Sequence, residues 1–293
     1  MPIAELPTLN VHYAQLASAQ PTGALPPQIV LVHGLATSMA FWFAGAARLL
    51  TPLGEVTMFD LRGHGRSSMP ASGYGVAEQA DDMMRLLDRL GIERAHVIAH
   101  SFGGQVALAV ALRQPERFAS LVLAEVRIRA LQPAASFAAW PQWPRLRQRL
   151  AEAEMEIDEN DPEGGLVLVT ALAREMANGN GRQAAGAIIP GAAQLGGRGS
   201  ARQWLQLIER TSAYAEIAAA RAEPLERLLA LPMPILGLYG EQSMVLASGA
   251  AFARLCPRFQ LNVVPGAGHF FPLTRPREFA RRARRFLCRH QVQ

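Results

Sequence analysis

The sequence predicts an α/β protein with a mostly parallel, doubly wound sheet and an inserted helical cap. Short β-type runs alternate with amphipathic runs from Gln28 to Glu125, and again from Pro234 to Arg289. Such alternation implies right-handed crossovers between parallel strands. The rhythm breaks between Val126 and Glu223, where no clear strand is seen. A sheet interrupted by a helical block predicts a core of residues 1–125 and 224–293 carrying a cap of residues 126–223.

Each element has its own signal. Gln28–His33 (QIVLVH) is a continuous apolar run, the pattern of a strand buried on both faces. Ser38–Leu50 reads as a helix and Glu55–Leu61 as the next strand. Val76–Leu90 is a helix with Met83, Leu86, Leu87 and Leu90 on one side and Gly91 just past its end. Ala95–His100 is a strand, Gly103–Arg113 a helix closed by Pro115, and Phe118–Glu125 another strand. The predicted cap holds Trp140, Trp143, Trp204 and a glycine-rich stretch from Gly179 to Gly199. After it come a strand (Pro234–Gly240), a helix (Ser248–Leu255), a strand (Phe259–Pro265) and a closing helix (Arg277–Arg289).

Composition excludes several classes. The 293 residues are half hydrophobic and only 18% charged, so disorder is not expected. All 29 basic residues are arginine, and the formal net charge is +5. The densest arginine cluster, Arg275 to Arg289, has helical spacing, with Phe279, Phe286 and Leu287 marking an inner face. It reads as a solvated helix face and not as a nucleic-acid site. Cys256 and Cys288 make neither a disulfide framework nor a metal pattern. No histidine and carboxylate cluster has ligand spacing, so no metal or other cofactor is expected. Met1–Leu9 has no basic leader and no stretch approaches a membrane span, so the expectation is a soluble, cytoplasmic protein.

The chemistry concentrates at three loops. Ala99-His100-Ser101-Phe102-Gly103-Gly104 lies between a buried strand and a helix, where a sharp elbow holds a serine at the carboxyl end of a sheet. The competing reading of Ser101 is a helix cap. His33-Gly34-Leu35 follows the first clear strand, and the N–H groups of Leu35 and Phe102 are candidates for an oxyanion hole. Pro265-Gly266-Ala267-Gly268-His269 sets a histidine on a glycine-rich loop after the last strand. A hydroxyl is a poor nucleophile near neutral pH, so His269 is the candidate base for Ser101. His33, His64 and His100 read as packing or hydrogen-bonding residues.

These segments, with Asp60-Leu61-Arg62-Gly63-His64-Gly65-Arg66-Ser67, resemble the α/β-hydrolase superfamily in order and spacing. The resemblance spans nearly everything outside the predicted cap. It implies a serine esterase or thioesterase, with the Asp60–Ser67 stretch as a structural loop. It also bears on the acid. Relatives commonly carry an aspartate just after the strand that here ends at Gly240, and that position holds Ser243. Some relatives place the acid one strand earlier, which points to Glu125, with Glu241 as the alternative and a dyad without an acid as a third case. The competing reading of Glu125 is a salt bridge to Arg127 or Arg129. Ser101 argues against relatives of this fold that use an aspartate nucleophile.

The expected substrate is a small-molecule ester or thioester with an apolar acyl part, cleaved through an acyl-enzyme. A thioesterase releasing a carrier-bound acyl or polyketide chain is the alternative, and a non-catalytic ligand-binding protein on a hydrolase scaffold is the reading from another class. Trp140, Trp143, Trp204 and Phe137 are candidates for an apolar pocket, although packing within the cap competes for most of them. Arg127, with Arg129, Arg198 and Arg202, is a candidate for holding a carboxylate or phosphopantetheine.

Overall fold

The computed structural model describes residues 2–19, 26–178, 186, 188–189 and 197–290. Eight strands form one sheet: β1 (Ile3–Glu5), β2 (Asn10–Leu16), β3 (Gln28–Val32), β4 (Glu55–Phe59), β5 (Ala95–His100), β6 (Phe118–Ala124), β7 (Ile235–Gly240) and β8 (Phe259–Val264). Their order across the sheet is β1-β2-β4-β3-β5-β6-β7-β8. From β4 to β8 every neighbouring pair is parallel, while β1 and β2 run antiparallel at one edge.

Two apolar layers cover the two faces. Val30, Val32, Val97, Ala99, Leu121 and Leu123 face one core, with the helices Val76–Arg89 and Phe102–Arg113. Ile29, Leu31, Ile98, Val122 and Ala124 face the other, under Trp42 and the helix Pro276–Arg289. That alternation is the two-residue period of a strand, and apolar runs without polar breaks are what burial on both sides requires. In the last helix Phe279, Ala283, Phe286 and Leu287 turn inward. Each fully buried side chain of Phe, Leu or Ile size contributes about 1.5–3 kcal/mol.

Register sets the site. His100 pairs with Ala124, and Gly240 pairs with Val264. Ser101, Glu125, Glu241 and the loop from Pro265 therefore leave the same edge of the sheet. From β3 the chain steps to β4 on one side and then to β5 on the other. Strand order thus reverses at β3, and in open α/β sheets ligands bind in the crevice such a reversal opens.

Several elements differ from the sequence reading. Ser38–Leu50 is not one helix but two short ones, Ala40–Phe43 and Ala47–Leu50, parted by a turn in which the Gly45 N–H donates to Trp42 O (3.1 Å). β1 at the edge and β2 beside it are only partly covered, so they carry no continuous apolar run by which the sequence announces them. Between β6 and β7 the described residues form helices and turns but no strand; the longer helices are Trp143–Glu152, Gly164–Ala177 and Arg198–Arg210. Most of the glycine-rich stretch lies outside the described residues. No described helix is long and apolar enough to cross a membrane.

Candidate active site

Ser101 sits between β5 and the helix Phe102–Arg113 at φ +53° and ψ −122°. A non-glycine residue there costs on the order of 1–3 kcal/mol and persists only where its surroundings fix it. Here the Ser101 N–H donates to Ala124 O (3.0 Å), and Ser101 O accepts the Gly104 N–H (3.0 Å). The elbow also needs room. A Cβ on Gly103 would lie 2.2 Å from His33 O, and one on Gly34 would lie 2.9 Å from the Ser101 Cβ. Backbone from β3 and β5 meets too closely there for any side chain larger than hydrogen.

Two buried histidines brace the loop after β3. His33 Nε2 accepts the Leu61 N–H (3.0 Å) and Nδ1–H donates to Gly34 O (2.7 Å), the tautomer that satisfies both contacts. Thr37 Oγ1 donates to the same carbonyl (2.9 Å). Gly34 O and the Leu35 N–H belong to one planar trans peptide, so anchoring the carbonyl turns the N–H the opposite way. His64 Nε2 accepts the Ala36 N–H (3.2 Å), with Ala36 at φ +54°. Burial lowers both imidazoles, His64 to about 3, so both rings are neutral near neutral pH.

His269 reaches in from the loop after β8, with Nε2 at 3.1 Å from Ser101 Oγ. Its carbonyl accepts the Nε2–H of His100 (3.0 Å), a buried ring stacked on Phe41 at 4.5 Å between centroids. Burial holds His100 well below the usual imidazole range. Arg275 ties the same loop by donating to Pro265 O and Gly266 O (2.9 Å each).

Glu125 follows β6 at φ +58° and is fully buried. Its Oε1 accepts the Gly240 N–H, and its own N–H donates to Leu238 O (3.0 Å). Oε2 lies 3.5 Å from His269 Nδ1. Both of those atoms are buried and have no hydrogen-bond partner among the described residues, so each faces the other. Glu241 is exposed and accepts the Gly266 N–H (2.8 Å). Ser243 Oγ accepts the Val245 N–H (3.3 Å). Of the candidate acids, only Glu125 is brought to the imidazole.

The elbow opens into a cavity of about 520 Å³ lined by Leu35, Ser101, Phe102 and His269 at its base. The helices Trp143–Glu152 and Gly164–Ala177 supply much of its wall, including Leu146, Leu166, Val169 and Leu172. The aromatic candidates divide. Trp140 and Phe137 line the cavity; Trp143 and Trp204 do not. Trp143 stacks on Phe137 at 5.0 Å and donates to Glu159. Trp204 is buried against His64 and donates to Thr170 Oγ1 (3.2 Å). These two indoles satisfy their N–H groups inside the helical packing, so their fate is structural.

Arg127 borders the cavity, but its fork is taken. It and Arg129 both bind Glu163, at 2.7 to 3.0 Å, and Arg127 also donates to Gln132 O (2.9 Å) and Pro133 O. Burial lowers the Arg127 pKa. Neither arginine pairs with Glu125. Sequence reading missed Gln142, Arg145 and Arg149, which also line the cavity; the only signal was their common stripe on an amphipathic helix. No metal-holding cluster of His, Cys, Asp and Glu exists among the described residues.

A family model described as alpha/beta hydrolase fold matches residues 27–276, and the chain belongs to that family. Over 97 residues it is 41% identical to "Putative carbamate hydrolase RutD" of Caulobacter segnis, a match covering 32% of this chain and 36% of that protein. The chain therefore spans about a third of that relative's length. Two solved structures are similar in fold across nearly the whole chain. The enol-lactonase from Burkholderia xenovorans LB400 has a TM-score of 0.68 at 21% identity, covering 98% of this chain and 100% of that one. The esterase RhEst1 from Rhodococcus sp. ECU1013 has a TM-score of 0.69 at 22% identity, covering 98% and 97%.

Proposed function

We propose that this protein is a serine hydrolase that cleaves an ester or thioester with an apolar acyl part. The observation that carries the reading is the line of contacts from Ser101 Oγ through His269 to Glu125: 3.1 Å on one side of the imidazole and 3.5 Å on the other. Ser101 Oγ attacks the carbonyl carbon as His269 Nε2 takes its proton. The oxyanion is held by the N–H groups of Leu35 and Phe102, each worth roughly 3–4 kcal/mol by analogy with measured donors. Glu125 accepts the Nδ1–H, fixes the tautomer and stabilises the imidazolium. Its 3.5 Å separation shortens as the ring becomes charged, since such contacts tighten along the reaction. His269 then protonates the leaving group, and the acyl-enzyme is opened by a water that the same imidazole deprotonates. Residues 126–223 act as a cap over the acyl part, with Trp140 and Phe137 against it.

The test is covalent. An alkyl fluorophosphonate should label Ser101 in the folded protein, and Ser101→Ala should abolish both labelling and turnover of p-nitrophenyl esters, a loss of about 10⁴-fold or more. A folded wild type that turns over esters while Ser101 stays unlabelled would overturn the reading.

A further inference from the structure

The ionised side chains lining the cavity are unbalanced: Arg127, Arg129, Arg145, Arg149 and Arg275 stand against Glu163 alone, with Glu125 buried beneath His269. Glu163 is shared by Arg127 and Arg129. Arg275 braces the His269 loop and has Glu278 at 3.8 Å. That leaves Arg145 and Arg149. They stand four residues apart on the helix Trp143–Glu152, on one stripe with Gln142 and Leu146, and all of these line the cavity. Like charges at that spacing weaken a helix by a few tenths of a kcal/mol, so folding does not ask for them. Arg149 donates once, to Ile188 O (3.2 Å), and neither side chain has an ion pair among the described residues. Glu152, one turn on, instead accepts Gln148 Nε2 (3.0 Å). The sequence between the helices Gly164–Ala177 and Arg198–Arg210 contains no Asp or Glu.

We propose that the substrate is an anionic amphiphile: an acyl ester or thioester that carries a carboxylate or phosphate, which Arg145 and Arg149 receive at the cavity. This rests on the serine-hydrolase reading of the same cavity and names its substrate class. Guanidinium forks match both oxyanions bidentately. A cleft of one sign with apolar walls also concentrates the opposite charge. The apolar part lies along Leu146, Leu166, Val169 and Leu172, which line the same space.

The experiment compares substrates of equal acyl length. One arm is the neutral p-nitrophenyl decanoate, a second is the p-nitrophenyl monoester of decanedioic acid, and a third is S-decanoyl-4′-phosphopantetheine. The charged arms distinguish a carboxylate on the acyl side from a phosphate on the leaving group. At least one should exceed the neutral ester by about tenfold in kcat/KM, mainly through KM, and lose that advantage in about 0.5 M salt. Arg145→Gln/Arg149→Gln should erase the advantage while leaving the neutral ester within about twofold, and Arg145→Gln alone should remove part of it. Equal turnover of all arms, or equal losses on neutral and charged arms in the variants, overturns the proposal. Binding keeps it separable from the hydrolase reading. In Ser101→Ala, decanoate or decyl phosphate should bind more tightly than decanol, and the double arginine variant should abolish the difference. Equal binding of decanoate and decanol, with decyl phosphate binding no more tightly than decanol either, overturns the anion site whatever Ser101 does.

Discussion

At the carboxyl edge of the sheet, the side chains proposed for chemistry sit on backbone with few alternatives. Ser101 and Glu125 both have positive φ, each directly follows a strand, and the β5–β6 register makes them neighbours. In the helical stretch between β6 and β7, the side chains around the cavity sit on ordinary helices. There Trp140 faces the cavity, while Trp204 is sealed in packing. The contrast separates two ways of building a site. Chemistry that needs a fixed geometry is written into strand ends and tight turns, whereas a binding wall depends on how whole helices settle against one another.

The widest gap should open between two glutamates of the sheet edge. Glu125→Gln places an amide where the imidazole needs an acceptor, and kcat/KM should fall by about 10²–10⁴-fold. Glu241→Gln keeps an oxygen for the Gly266 N–H and should change kcat/KM by less than about threefold. Steady-state kinetics on both variants decide it, and a larger loss in Glu241→Gln would reverse the assignment.

The helical stretch should divide in a different quantity. Trp204→Ala empties a fully buried site and should cost about 3–5 kcal/mol in guanidinium unfolding. Trp140→Ala, half-buried at the cavity, should cost about 1 kcal/mol and act on KM. If Trp204→Ala unfolds like the wild type but loses acyl-chain preference, that division is wrong.

A smaller and sharper difference lies in acid sensitivity. His33, His64, His96 and His100 are all lowered by burial, His64 to about 3 and His96 to about 4, whereas residues 126–223 contain no histidine. The unfolded chain takes up these protons near pH 6.5, as about expected for free imidazole. Between that value and the folded values the unfolded state holds more protons, so stability falls as pH falls. Each histidine contributes a slope of about 1.4 kcal/mol per pH unit. Denaturant midpoints from pH 7 to 5 should drop steeply, and His64→Gln should flatten the profile by about one such slope. A flat wild-type profile would contradict the neutral-histidine bracing of the loop after β3.

What was legible in the sequence follows the same divide. The apolar runs of β3, β5, β6 and β7 announce strands because burial on both faces leaves no polar alternation to confuse them. Ser101 and His269 are readable because a strained turn and a glycine loop each demand particular neighbours within a few residues. Glu125 was reachable through the family resemblance, as the residue that closes the strand after the nucleophile helix. Its separation from Glu241 as a partner of His269 rests on the placement of β6, and on Gly240 and Gly266 taking the other carboxylate oxygens. The antiparallel β1 and β2 escaped because half-covered strands carry little hydrophobic signal.

Local chemistry, which acts between residues a few positions apart, was therefore enough for the architecture, the elbow and the histidine loop. The destinations of Trp143, Trp204 and Arg127, and the exposure of Arg145 and Arg149 on the cavity wall, were decided by tertiary packing. A helix stripe says which residues share a face, but only its neighbours in space determine whether that face meets a core, a counter-charge or an open cavity.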